Sequence, residues 1–79
     1  MFVTDQKIAE VADEMQSLFE VGPLHSQSKI GVIARHAQEA LADNGLPTRK
    51  SLCFVVAKVA LMTWHETIHQ TKQEMAAAQ

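Results

Sequence analysis

Apolar residues return every three or four positions from Ile8 to Phe19: Ile8, Val11, Ala12, Met15, Leu18 and Phe19. This spacing draws one stripe down a helix, predicted over about 5–21. Thr4 stands where an N-cap oxygen is wanted, and Val3 and Ile8 occupy the two positions of a hydrophobic staple. Gly22-Pro23 then stops the element. A second stripe, Ile30, Ile33, Ala37, Ala40 and Leu41, predicts a helix over about 28–44, with Ser26 or Ser28 as its cap. It is narrow and rich in alanine, so it permits close approach but buries little area. Asn44-Gly45-Leu46-Pro47 reads as a C-terminal cap followed by a breaker, with Leu46 placed for the apolar contact of such caps.

The third segment has a different pattern. From Leu52 to Met62 only Lys58 interrupts an apolar run. No turn residue bounds Phe54-Val55-Val56, so the run reads as helix and not as a short strand. It is predicted over 48–75 with Thr48 as cap, roughly 40 Å long at 1.5 Å per residue. A helix apolar on nearly every side is a buried one. Ser51, Lys58, His65 and Lys72 make its only polar line, while Phe54, Leu61, Ile68 and Met75 recur every seven residues as a packing seam.

These elements predict an all-α fold: one domain over 1–79, a three-helix bundle with a long C-terminal helix. The two shorter helices can cover only part of the third. The uncovered part calls for a second copy or another protein, most simply a two-fold homodimer. Phe54, Leu61, Trp64 and Ile68 are the residues expected at that interface.

Length sharpens the point. A chain of 79 residues buries only about 60–65% of its unfolded surface, and domains this small often need a disulfide, a metal or association as a staple. Cys53 is the single cysteine, so no internal disulfide can form, and the lone thiol fits a reducing cytoplasm. The first ten residues have no signal-peptide pattern. The apolar run from Leu52 to Trp64 is shorter than the ~20 residues of a membrane span, so no membrane association is expected.

Net charge is −2, unevenly spread. Asp5, Glu10, Asp13, Glu14 and Glu20 oppose only Lys7 in the first helix, whereas Lys29, Arg35, Arg49, Lys50 and Lys58 outnumber Glu39 and Asp43 beyond it. The acidic helix is therefore expected to lie against the basic remainder.

One stretch carries a catalytic signature. His65-Glu66-Thr67-Ile68-His69 is H-E-x-x-H, in which two histidines share a helix face and hold zinc while the glutamate works on the bound water. Catalytic zinc needs a third protein ligand, yet Lys72 and Met75 stand where one extended form of the motif would need glycine and histidine. His65 also falls on the polar line of its helix. The match reads as chance, with His65 and His69 kept as metal candidates only within a remote zinc-hydrolase reading. His25 and His36 fall on a loop and a helix surface.

Arg49 and Lys50 stand in the first turn of the third helix, where free backbone N–H groups and two cations suit an anion. Thr48 to Ser51 also suggest the start of a recognition helix in a helix-turn-helix DNA-binding regulator. Against that, the preceding helix is long, the third helix turns apolar within one turn, and the charge is negative. The expectation is a small non-enzymatic interaction or regulatory protein, of the size of accessory proteins that inhibit a target by occupying its surface. No cofactor is implied.

Overall fold

The computed structural model describes residues 3–25 and 27–77, with the backbone alone at 69 and 71–77. The described residues form an all-helical bundle: α1 (Asp5–Glu14), α2 (Gln16–Glu20), α3 (Ile30–Asp43) and α4 (Lys50–Ala77). α1 and α2 together are the first arm, α3 is the second, and both pack on α4, touching each other only lightly. α4 runs past the bundle, so the molecule measures 49 × 23 × 18 Å.

The first arm starts as its pattern dictates. The Thr4 hydroxyl accepts the Lys7 N–H at 3.2 Å, which satisfies one of the free donors of a helix start. The arm is not one unbroken helix to residue 21. At Met15 the N–H is shared between the Val11 and Ala12 carbonyls at 3.2 and 3.1 Å. Beside it, the Gln16 side-chain amide donates to the Ala12 carbonyl at 3.0 Å and to the Ala60 carbonyl of α4 at 3.1 Å. One side chain thus serves the tightened turn and ties the arm to α4. After Val21 the chain doubles back. A Cβ on Gly22 would lie 2.7 Å from the Leu18 Cα, closer than real Cβ atoms come, so only glycine fits there. The turn delivers Leu24 into the core, and its N–H donates to the Leu18 carbonyl at 3.0 Å.

α3 begins at Ile30, later than its pattern suggested, with Lys29 in the cap position. Ser28 does not cap it. Its hydroxyl accepts the His25 N–H at 2.9 Å and closes the preceding loop; Ser26 lies outside the described residues. The end of α3 is as expected. Gly45, at φ +69°, donates to Ala42, and Leu46 donates to Leu41 at 2.9 Å. This is the paired bonding of a Schellman cap, and Leu46 packs against the core. α4 begins at Lys50 and not at the predicted Thr48 cap. The Arg49 carbonyl accepts the Cys53 N–H at 2.9 Å, which makes Arg49 the cap residue. The Thr48 carbonyl takes the Cys53 thiol at 3.6 Å instead.

The core joins Val11, Ala12, Met15 and Phe19 of the first arm, Leu24, Ile33, Ala34, Ala37 and Leu41 around α3, and Cys53, Val56, Ala57 and Ala60 of α4. Five of these are alanines, so helix backbones meet closely. Among the described residues no polar or charged residue is buried.

Two glycines on and after α3 predict opposite responses. Gly31 stands in the first turn of α3 with open space where a Cβ would go, so Gly31→Ala should stabilise by about 0.4–1 kcal/mol, chiefly by restricting the unfolded chain. Gly45 holds a left-handed conformation, and Gly45→Ala should cost about 1–2 kcal/mol. Urea unfolding of the two variants, with opposite shifts in midpoint, checks both.

Candidate functional site

The surface of α4 can be followed round its circumference. Cys53, Val56, Ala57 and Ala60 face the core. Phe54, Leu61 and Trp64 are half-buried against the edge of that core. Trp64 stacks on Phe19 with ring centroids 5.5 Å apart and planes at 21°, a geometry worth about 0.5–1.5 kcal/mol beyond its buried area. Ile68 is half-buried as well. The four residues expected at an interface therefore lie on the flank of α4, three of them already packed on their own chain.

The outward face carries Ser51, Lys58 and His65, all exposed, as the polar line requires; the Lys72 side chain lies outside the described residues. Beside them stand two apolar side chains that the seven-residue seam did not single out. Val55 is 44% exposed and Met62 63% exposed. They are seven residues apart and share one line on the helix, next to Lys58 and His65. Their own heptad spacing was the available signal, masked by the longer Phe54-Leu61-Ile68 series. Ile30 and Val32 at the start of α3, and Val21 after α2, are also exposed.

The first turn of α4 borders a second feature. A cleft of about 410 Å³ opens between α3 and α4, lined by Gly31, Ala34, Arg35, Gln38, Thr48, Lys50, Cys53 and Phe54. Lys50 belongs to it, and Arg35 of α3 joins it across the cleft. Arg49, the other expected anion ligand, is exposed at the cap and is not among the lining residues. Neither Arg35 nor Lys50 makes an ion pair among the described residues, where the single salt bridge is Lys7–Glu10 at 3.3 Å within α1. The expected pairing of the acidic first helix with the basic remainder is thus not made. Glu14 accepts a hydrogen bond from Asn44 at 3.0 Å, and the other carboxylates of α1 and α2 are exposed.

A smaller cleft of about 230 Å³ separates the first arm from α3. It gathers Glu14, Glu39 and Asp43 near His36. His36 is half-buried and not a plain surface residue, and its Nδ1 is buried without a hydrogen-bond partner.

In the H-E-x-x-H stretch, His65 and Glu66 are exposed on the helix surface, and the His69 side chain and Met75 lie outside the described residues. Among the described residues no three His, Cys, Asp or Glu side chains come together as a metal site. The apolar stretch of α4 is longer than the run from Leu52 to Trp64 implied. The unbroken helix from Lys50 to Ile68 is, by length and composition, apolar enough to cross a membrane.

Compared with known proteins, the chain matches no family model, no curated protein and no solved structure.

Protein purified without a metal-affinity tag should carry well under one zinc per chain by elemental analysis. Its melting temperature should not move on addition of EDTA. Stoichiometric zinc with loss of fold in chelator would reverse the reading of His65 and His69.

Proposed function

We propose that this is a small non-enzymatic interaction protein, regulatory or inhibitory towards its target, that works through the outward face of α4. The observation that carries the reading is the exposure of Val55 and Met62 on one line of a 28-residue helix, beside the half-buried Phe54 and Leu61. Single exposed apolar residues are ordinary, but a line of them on a helix that projects beyond its bundle is the form of a helical docking surface. A homodimer is the simplest occupant.

α4 is read as a bundle helix and not as a membrane span. Its buried face, Cys53, Val56, Ala57 and Ala60, packs against α1 and α3. Lys58 stands near the middle of the apolar stretch, where a charge at the bilayer centre costs about 2.5–3.5 kcal/mol on insertion scales. Cytoplasmic placement belongs to the same proposal and rests on the single free Cys53.

The test is the molecular mass in solution. Light scattering at micromolar concentration should give about twice the chain mass, and Met62→Asp should give a folded monomer. Met62 is the informative position. Leu61 is packed against the core, so Leu61→Asp would also attack the fold by burying an unpaired charge. A wild-type monomer that retains no protein partner from native lysate would overturn the proposal.

A second reading, a DNA-binding regulator using residues 48–51, draws on the cleft in which unpaired Arg35 and Lys50 flank the start of α4. Mobility shifts on genomic fragments in about 0.15 M salt, where charges are screened beyond ~8 Å, should show no specific complex. A sequence-specific shift abolished by Arg49→Ala would put this reading first.

A further inference from the structure

The outward face of α4 has an internal symmetry of shape and an antisymmetry of charge. Met62 is its most exposed apolar residue, at 63%. Lys58 lies four residues before it and Glu66 four residues after it, both exposed. At 100° and about 1.5 Å per residue, the two charges flank Met62 by equal angles on either side, each about 6 Å away along the axis. They are about 12 Å apart along the helix, too far to pair with each other in one chain. Neither makes an ion pair among the described residues.

We infer that a second copy of this chain docks on α4 in antiparallel register about Met62, so that Lys58 of each copy pairs with Glu66 of the other. This rests on the proposed use of the α4 surface and adds the occupant's direction and register. A two-fold axis perpendicular to the helix pair and level with Met62 brings the two Met62 side chains together. The same operation carries Lys58 of one copy to the height of Glu66 of the other, twice per dimer. A parallel pairing would instead set Lys58 against Lys58 and Glu66 against Glu66. Charges flanking an apolar seam set orientation and partner choice between paired helices in this way. Val55, on the Met62 line, extends the apolar contact towards each end. Nothing in the bundle opposes the arrangement, because the core of each copy lies on the opposite side of its α4 from this line.

The experiment uses the full chain and two single variants. Lys58→Glu makes both flanking positions negative, and Glu66→Lys makes both positive. Each alone should dimerise roughly tenfold or more weakly than wild type, since like charges face each other twice. Mixed together they should form a heterodimer of near wild-type affinity, measured by sedimentation or native mass spectrometry. Met62→Cys, close to the axis, should form an intermolecular disulfide on mild oxidation, whereas Ser51→Cys should not. Far-ultraviolet circular dichroism spectra of the variants, all at exposed sites, should match wild type. A wild-type dimer whose two charge variants stay dimeric, or fail to combine on mixing, would overturn this register and leave the α4 surface standing. A wild-type monomer would overturn the self-pairing altogether, and the retained partner from lysate then decides the broader proposal separately.

Discussion

Close backbone approach along α4 is the constraint on which the rest of this small bundle depends. α4 is the one element that both arms pack against, and the face it offers them is built from Cys53, Val56, Ala57 and Ala60. These side chains are short, so the arms come close. That closeness lets the Gln16 amide reach the Ala60 carbonyl at 3.1 Å and lets Phe19 lie flat on Trp64. Enlarging such a site forces the backbones apart, a strain of about 1–3 kcal/mol in a well-packed core. The alanines of α3 and α1, which bury little area themselves, are the price of this geometry. Large side chains make up the area at the ends, with Leu24, Leu41 and Met15 almost wholly enclosed.

A core assembled this way is apolar among the described residues. Polar links sit at its margins, where each serves a helix end or an irregular turn. Gln16 attends the tightened turn at Met15. The Asn44 side-chain amide donates to the Ala40 carbonyl at 2.8 Å and to the Glu14 carboxylate at 3.0 Å, so it fastens the end of α3 to the end of α1. Buried unpaired polar groups would cost about 1–3 kcal/mol each, a sum that a domain of this size cannot absorb. His36 Nδ1 is the exception among the described residues, and it stands beside three carboxylates in the cleft between the first arm and α3.

Much of this was written in the spacing of apolar residues. The all-α class, the three packed helices, the Thr4 cap and the Gly45-Leu46 termination all follow from local rules, and local hydrogen bonds carry them out. What local rules did not reveal depends on other elements. Ser28 satisfies the His25 N–H and not a helix start, because the loop it closes is set by where Leu24 docks. Arg35 counts in the sequence only as one of the cations beyond the first helix, and it is the fold that sets it across a cleft from Lys50. The charge asymmetry suggested pairing between α1 and the remainder, but the α1 carboxylates face water. On α4 the seven-residue series Phe54-Leu61-Ile68 was conspicuous because its members are large. The first arm and α3 claim that flank, and which neighbouring line is left outside depends on the angles at which they cross.

The same helix thus has two jobs with opposite requirements. Its inner face must be small and smooth so that two arms can seat on it. Its outer face carries the exposed Val55 and Met62 amid Lys58, His65 and Glu66, a mixture of apolar and charged side chains. Exposed carboxylates dominate the first arm, whereas α3 and α4 mix the exposed cations Arg35, Lys50 and Lys58 with the exposed carboxylates Glu39, Asp43 and Glu66. In the proposed pairing, contact strength comes from the apolar line and selectivity from the charges beside it. With nearly every core position committed to packing, the exposed apolar line of α4 and the charges of Lys58 and Glu66 are left on its outer side, and two clefts open where the helices part.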